Sequence, residues 1–360
     1  MRDGLIDGRS PMRTLILAPH SLSDAVMSQP FVATLSRLRL QDRIDVVACA
    51  DVAPVFECMA GIERVWSTDC LEGHRNTLGL LTLARQLRKM RYRRAYVLGD
   101  SHRAALLAWL TGAPVRVGFD QRARWGLITD KRGRAPESGH TAERTRIEHF
   151  ARLAFHGPAP MHTSVQAPVL RRSSVREASA RQRNGLPAEG FTLIVLCFDD
   201  QGHASRRWPV RHWAALIGQI RRHWPEAIVA AVGDASVRAT ATEAFALSGA
   251  SGRNWCGQLS QADAIATVAQ AHAIVGLDND LMHVAGAFSR PLVSLFGPRD
   301  PHRHAPLGAQ VQVQSLALEC SPCNESVCRH SHGHCMSELT PDTATKALRA
   351  ALKRMSRNIR

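Results

Sequence analysis

One stretch in the C-terminal half decides the fold: AIVGLDNDLMHVAGAFSRPLVSLFGPRDP, residues 273–301. Residues 273–277 form a short apolar run, apolar residues recur at helical spacing over 281–288, and a second apolar run follows at 291–296. Apolar runs that flank an amphipathic segment are typical of a strand, a helix and a second strand. The stretch therefore predicts a β-α-β unit, whose two strands run parallel in one sheet.

The same alternation extends outward from this stretch. Helical patterns, the first of them at 24–37, separate a series of strand patterns. The strand patterns lie at 14–18, 44–48, 95–98, 192–196 and 227–232. Residues 169–190 interrupt the alternation with Pro, Ser and Arg. We therefore predict an N-terminal Rossmann-like domain at 12–168, a linker at 169–190, a C-terminal Rossmann-like domain at 191–340 and a helix at 341–360.

Charge and composition limit the partners. Lys and Arg number 46 against 31 Asp and Glu, giving a formal net charge of +15, and only 5% of residues are aromatic. Such a surface favours polyanions, but the scarcity of aromatics argues against stacking on nucleic-acid bases. We expect contact with an anionic membrane surface and no nucleic-acid partner, although genome composition alone explains part of the Arg excess. With no long apolar run and no signal-peptide pattern, we expect a cytoplasmic protein.

The turn between the first strand and the helix has the features of an anion site. The free N–H groups and the dipole of a helix N-terminus attract a diphosphate, and His283 lies one turn into that helix. The alternative is purely structural: Asp278 and Asn279 cap the helix, and His283 is a buried polar residue.

The whole string closely resembles glycosyltransferase family 9, whose pattern is Asp-[Thr/Ser]-Gly-Leu-Met-His-x-Ala-Ala-Ala-x-x-Arg-Pro followed by Phe/Tyr-Gly-Pro-x-Asp-Pro. The resemblance, which is greatest to heptosyltransferase II, includes residues 18–30, 96–119 and Arg206-Arg207-Trp208-Pro209. It implies the α/β GT-B fold, in which two Rossmann-like domains with doubly wound parallel sheets face each other across a cleft. The N-terminal domain would bind the acceptor, and the C-terminal domain would bind the nucleotide sugar. The resemblance also implies that the helix at 341–360 returns to the N-terminal domain.

Site roles follow from this resemblance. Asp24 would be the general base, with an N-cap as the structural alternative, and Arg206 would stabilise the donor and its leaving group. Arg103 would hold acidic groups of the acceptor. The donor would be bound by Leu259, Asp278, Asn279, Asp280 and His283.

This chain departs from the family pattern at three places. Ser23 replaces a Gly before the base, and Phe198-Asp199-Asp200 replaces Pro-Gly-Ala after a strand. Asp280 replaces the Gly of the donor motif, where a carboxylate repels a diphosphate unless its side chain turns away. Asp280 could therefore change the donor or weaken the activity.

The segment 320–335 contains four cysteines and three histidines. Cys320, Cys323, Cys328 and Cys335 are a candidate structural metal site, with reduced thiols or a redox-labile pair as the alternatives. Either way, the segment is expected to brace the C-terminal helix. No cofactor is expected to be required for catalysis.

The resemblance implies an inverting enzyme that moves heptose from ADP-L-glycero-D-manno-heptose to the inner core of lipopolysaccharide, with heptosyl-Kdo-lipid A as acceptor. It would work peripherally at the inner membrane. One alternative is a family member with another nucleotide-sugar donor or with weakened activity. The other is a metal-clustered nucleic-acid-binding protein, which leaves the donor motif unexplained.

Overall fold

A computed structural model of the chain describes residues 12–71, 76–120, 126–133, 142–155, 166–199 and 201–358, without the side chains of 142–145 and 355–358. These residues divide into two compact units, one drawn from 1–136 and 146–166 and the other from 137–145 and 167–360. Within the described ranges, no helix is long and apolar enough to cross a membrane.

The first unit is built on a parallel sheet with the strand order β3-β2-β1-β4-β5-β6. Its strands are β1 (Arg13–Leu17), β2 (Arg43–Ala48), β3 (Ile62–Ser67), β4 (Arg94–Val97), β5 (Val115–Phe119) and β6 (Asp130–Arg132). The flanking helices are α1 (Leu22–Met27), α2 (Gln29–Leu38), α3 (Ala53–Phe56), α4 (Thr77–Lys89), α5 (His102–Leu110) and α6 (Ala142–Arg152).

The second unit repeats the arrangement, with the order β12-β11-β10-β7-β8-β9. Its strands are β7 (Thr192–Cys197), β8 (Ala227–Val232), β9 (Arg253–Asn254), β10 (Ala273–Leu277), β11 (Leu292–Phe296) and β12 (Val311–Ser315). Its helices are α7 (Ser174–Arg183), α8 (Val210–His223), α9 (Arg238–Ser248), α10 (Gln261–Gln270), α11 (Asp280–Ala287), α12 (Pro301–His304), α13 (His334–Ser337) and α14 (Pro341–Asn358).

Both sheets have the doubly wound order of a Rossmann fold, which confirms the predicted fold class. Each order reverses direction once, between β1 and β4 in the first sheet and between β7 and β10 in the second. Ligands of open α/β sheets bind beyond the carboxyl ends of the strands at such a switch point. The loops after β1, β7 and β10 are therefore the places in each unit where a site is expected.

The first predicted helix is two helices. The sequence pattern indicated one helix at 24–37, but α1 ends at Met27 and α2 begins at Gln29, with Ser28 between them. Pro30 stands in the first turn of α2, where its missing N–H group costs least. A proline inside one continuous helix would have removed an internal hydrogen bond, so the chain restarts there.

Two segments at the edges of the second unit pack against its core. Within the predicted linker 169–190, α7 lies beside α10, and Arg183 Nε donates to Asp263 Oδ1 at 3.0 Å. At the other end, α14 packs on α8 and on strands β10 to β12 through Ala344, Leu348 and Ala351, all less than 1% exposed. The return of this helix to the N-terminal domain stays a prediction.

Candidate functional site

The donor turn, residues 278–283, lies where β10 ends and α11 begins. Every residue of β10 is buried. Asn279 is in extended backbone and caps α11, because its side chain accepts a hydrogen bond from the Leu281 N–H at 3.0 Å. The structure thus assigns the cap to Asn279 and leaves Asp278 outside the helix, with its side chain 7% exposed.

Gly276 allows this turn to fold back tightly. A Cβ at Gly276 would lie 2.6 Å from Met282 Sδ and 2.7 Å from Cys197 Cβ, which is closer than real Cβ atoms approach. Met282 of α11 is therefore held beneath the end of β10, beside β7. The contact brings the N-terminus of α11 to the switch point of the sheet, where an anion would meet its N–H groups.

Asp278 forms a partly buried ion pair that was not predicted from the sequence. Arg299 Nη1 donates to Asp278 Oδ2 at 2.8 Å, and Arg299 Nη2 lies 2.6 Å from His304 Nδ1. Arg299 follows the end of β11, and β10 and β11 are neighbours in the sheet. The carboxyl ends of parallel strands meet at one edge of a sheet. The predicted β-α-β unit therefore already implied that residues after β10 and after β11, such as Asp278 and Arg299, lie close together.

The charges around Asp278 partly cancel. Burial raises the pKa of Asp278, and the nearby charge of Asp280 raises it further, whereas the cations Arg299 and Arg206 lower it. Burial dominates, so the pKa is raised overall. The charges of Asp280, Arg206 and Arg299 thus all act on Asp278, and only that of Arg299 comes through a direct hydrogen bond among the described residues.

Arg206 is presented by a short 3-10 turn, Ala204–Arg206, ahead of α8. Its Nη1 donates to Gln201 Oε1 at 2.8 Å. Trp208 anchors the same turn: it is 2% exposed, its indole N–H donates to the Leu339 carbonyl at 2.7 Å, and its ring packs edge-on against Trp213. Trp208, in the Arg206-Arg207-Trp208-Pro209 motif, thus has a structural role, and its contacts fix the backbone position from which the Arg206 side chain extends.

The segment 320–335 is hydrogen-bonded to both turns that carry these cations. Ser321 Oγ donates to the Gly297 carbonyl at 2.6 Å, and the Asn324 N–H donates to the Pro298 carbonyl at 2.7 Å. On the other side, Ser205 Oγ donates to the Glu325 carbonyl at 2.6 Å. These bonds show that the segment braces the surroundings of the donor turn, and the expected bracing of the C-terminal helix stays a prediction.

The other predicted donor residues lie on the same unit. His283 is 5% exposed and lies in α11 one turn after Asn279. Asn279 Nδ2 also lies 3.4 Å from the Asp199 carbonyl oxygen, which joins the turn to the loop after β7. Leu259 is half-buried in the loop before α10. Their roles toward a donor stay predictions, and Asp200 lies outside the described residues.

Asp24 is in the first turn of α1, the helix that follows the loop after β1. Ser21 is the N-cap, and its Oγ accepts from the Asp24 N–H at 3.1 Å. The alternative role of Asp24 as the cap is therefore wrong. Instead the Asp24 carboxylate, with its side chain 33% exposed, pairs with Arg146 of α6, whose Nε donates to Oδ1 at 3.0 Å. Arg146 is 122 residues away, and no local pattern pointed to it.

Arg103, the predicted acceptor residue, holds a loop of its own unit. Its Nε donates to the Cys70 carbonyl and its Nη2 to the Asn76 carbonyl, both at 3.0 Å. These bonds tie α5 to the chain between β3 and α4. They give Arg103 a structural role, and its acceptor role stays a prediction.

All four cysteines of the segment 320–335 are partly exposed free thiols. Burial raises the pKa of Cys335 to about 11, with further contributions from Cys323, Cys328 and Cys320. Hydrogen bonds from backbone N–H groups, first that of Gly333, lower the pKa of Cys328. Across the described ranges, no group of three or more His, Cys, Asp or Glu side chains has the geometry to hold a metal ion. A structural metal there stays a prediction.

Comparison with known proteins identifies the family of the chain. The sequence model of glycosyltransferase family 9 (heptosyltransferase) matches residues 80–334. Lipopolysaccharide heptosyltransferase 2 of Escherichia coli is 28% identical over 351 residues, which cover 95% of this chain and 99% of that protein.

Two solved structures are similar over most of their length. The structure of E. coli ADP-heptose LPS heptosyltransferase II has a TM-score of 0.78 at 27% identity, covering 96% of this chain and all of that one. A family 9 glycosyl transferase from Veillonella parvula shares the fold, with a TM-score of 0.77, 18% identity and coverage of 95% and 97%. The predicted GT-B fold and glycosyltransferase activity are confirmed: the chain belongs to glycosyltransferase family 9 (heptosyltransferase).

Proposed function

We propose that the chain transfers heptose from ADP-L-glycero-D-manno-heptose to the inner core of lipopolysaccharide, with inversion at the anomeric carbon and heptosyl-Kdo-lipid A as acceptor. One observation carries the proposal: α11 begins at the switch point of the second sheet beside the buried Asp278, which pairs with Arg299, and the charge of Arg206 also acts on Asp278. The names of the relatives support heptose as the transferred sugar and lipopolysaccharide or lipooligosaccharide as the acceptor class, and the similar E. coli structure is named for ADP-heptose.

Asp24 acts as the general base in this proposal. Its carboxylate accepts the proton of the acceptor hydroxyl while the oxygen attacks the anomeric carbon of heptose from the face opposite the diphosphate. The Arg146 guanidinium fixes the orientation of the carboxylate through hydrogen bonds from Nε and Nη2. Because Ser21 caps α1, Asp24 is not needed for the cap and is available for proton transfer.

The second unit stabilises the departing ADP. As the glycosidic bond breaks, negative charge develops on the β-phosphate, and the helix N-terminus, Arg206 and His283 stabilise it. Leu259 packs against the adenine, Asp278 and Asn279 orient the donor, and Asp280 lies beside its diphosphate. This chemistry requires no cofactor. The candidate metal at Cys320, Cys323, Cys328 and Cys335 would be structural.

We also propose that the enzyme works in the cytoplasm at the anionic surface of the inner membrane. Arg222 of α8 and Lys346, Arg349 and Lys353 of α14 line one cavity of about 830 Å³. Among the described residues, none of these four side chains forms an ion pair or a hydrogen bond, although Asp342 also lines the cavity. Unpaired cations spaced along one helix face suit anionic headgroups.

Asp280 supports a second candidate, a transferase with a different nucleotide-sugar donor or with weak activity. It adds a carboxylate to the helix start, where like charge disfavours a diphosphate. Calorimetry with ADP-heptose, GDP-mannose and UDP-glucose separates the two candidates. Tightest binding of ADP-heptose supports the first, and preference for another nucleotide sugar supports the second.

Release of ADP tests the proposal with two acceptors, Kdo-lipid A and heptosyl-Kdo-lipid A. The wild-type chain should turn over the second acceptor faster. Asp24→Asn should abolish turnover and still bind ADP, whereas Asp42→Asn, a change of the same kind in the same unit, should retain activity. Wild-type protein that binds ADP-heptose but transfers to neither acceptor would refute it.

A further inference from the structure

The donor turn carries two carboxylates where an anion is expected to bind. Asp278 lies directly before the cap of α11, and Asp280 is the first residue of that helix. Because the two carboxylates are two residues apart, the charge of Asp280 contributes to the raised pKa of Asp278. Two carboxylates at a helix N-terminus oppose its attraction for a diphosphate, so other charges must restore a positive field.

Arg299 is placed to do this. Its guanidinium is shared between Asp278, at 2.8 Å from Oδ2, and His304, at 2.6 Å from Nδ1. An arginine N–H can only donate, so His304 Nδ1 accepts from it. The side chain of Arg299 is 24% exposed, whereas that of Asp278 is 7% exposed. The pair thus buries the carboxylate and leaves part of the cation open to solvent.

Hydrogen bonds also hold the backbone on both sides of Arg299. The carbonyls of the two preceding residues, Gly297 and Pro298, accept hydrogen bonds from Ser321 Oγ and the Asn324 N–H. On the other side, Asp300 caps α12 by accepting from the His302 N–H at 2.9 Å. A cation held by contacts on both sides is preorganised, which strengthens its electrostatic effect.

From this geometry we infer that Arg299 is a positioning residue that offsets Asp280 and so keeps the donor turn able to bind a nucleoside diphosphate. It anchors Asp278 and supplies positive charge beside the phosphate site, while Arg206 supplies charge from the turn before α8. The inference rests on the proposed function, since it assumes that a nucleotide sugar occupies this turn. It assigns a role to a residue that the family pattern leaves unspecified.

A double-mutant cycle with ADP as the probe tests this role. Calorimetry on intact protein should show Arg299→Ala weakening ADP binding about tenfold in the wild-type background, and less than about threefold in the Asp280→Gly background. Asp280→Gly alone should strengthen ADP binding. Equal losses in the two backgrounds would overturn the inference, because Arg299 would then act independently of Asp280.

Two further variants separate this role from general damage to the fold. Arg299→Lys keeps the charge but cannot bridge Asp278 and His304 in the same way, so it should restore part of the ADP affinity. Arg303→Ala, which removes a 65% exposed cation from the neighbouring helix α12, should leave ADP affinity unchanged. Lysine without any rescue would contradict a charge-based role.

Steady-state kinetics give a readout that a merely structural role would not produce. With ADP-heptose as donor, Arg299→Ala should raise KM for the donor and change kcat little, because Arg299 does not contact the reacting atoms. A fall in kcat at unchanged KM would overturn the inference. If the wild-type protein binds ADP but transfers no heptose, the proposed function is refuted and the inference about Arg299 is not. The double-mutant cycle with ADP would still measure the effect of Arg299.

Discussion

The close contact between α11 and the chain before β12 leads to a quantitative prediction for Gly286→Ala. A Cβ at Gly286 would lie 2.7 Å from the Leu307 carbonyl oxygen, and a Cβ at Gly308 would lie 2.6 Å from the Gly286 carbonyl oxygen. A backbone carbonyl cannot rotate away as a side chain can. The overpacking should cost about 3 kcal/mol, at the upper end of the usual range, and the better helix propensity of Ala returns about 1 kcal/mol.

Gly218→Ala is the matched control, because Gly218 is also inside a helix, α8, but a Cβ added there would have no heavy atom within 4 Å. It should gain about 0.5–1 kcal/mol. The two variants should therefore differ by about 3 kcal/mol, which corresponds to about 6–12 °C in Tm for a unit of this size.

Thermal denaturation monitored by circular dichroism measures this difference, and calorimetry with ADP measures its effect on the site. Since α11 carries the donor turn at its N-terminus, Gly286→Ala should also weaken ADP binding, whereas Gly218→Ala should not. A Gly286→Ala protein that melts at or above the wild-type temperature would refute the packing argument.

Three other changes have defined outcomes. Trp208→Phe leaves the Leu339 carbonyl without its donor and should cost about 1–3 kcal/mol in urea unfolding; an unchanged midpoint would show that the bond is dispensable. Asp278→Asn removes a carboxylate whose pKa is raised by burial. Because the ionised form destabilises the folded state, the variant's Tm should exceed that of wild type at pH 7, and the difference should shrink as pH falls toward about 4 and Asp278 becomes protonated. A variant that is less stable than wild type at pH 7 would contradict this sign. Lys346→Glu with Arg349→Glu should reduce sedimentation with phosphatidylglycerol vesicles and leave the response to phosphatidylcholine vesicles unchanged; equal binding would remove this surface from the membrane proposal.

Local patterns predicted the fold well. The turn after β10 was predicted as strand, cap and helix, and the helix begins at Asp280, one residue before the predicted start. These elements depend on apolar periodicity and on capping, which act over a few residues. The break at Ser28 was missed because the apolar spacing continues through Pro30, although the backbone hydrogen bonds do not.

The partners of the site residues were not predictable in the same way. Arg146 pairs with Asp24 over 122 positions, and Ser205 bonds to Glu325 over 120 positions. Such contacts depend on how distant elements pack, and a single sequence contains no periodic signal for them. Arg299 was within the quoted stretch, but its ion pair with Asp278 depends on the parallel neighbours β10 and β11.

The most direct test of the proposed activity is analysis of the reaction product. Purified chain is incubated with ADP-heptose of known anomeric configuration and heptosyl-Kdo-lipid A, and the product is examined by mass spectrometry and by NMR of the new glycosidic linkage. We predict the addition of one heptose, release of one ADP and a linkage of the opposite anomeric configuration. Retention of configuration would contradict the base role of Asp24, and the absence of any heptose addition would contradict the proposed function itself.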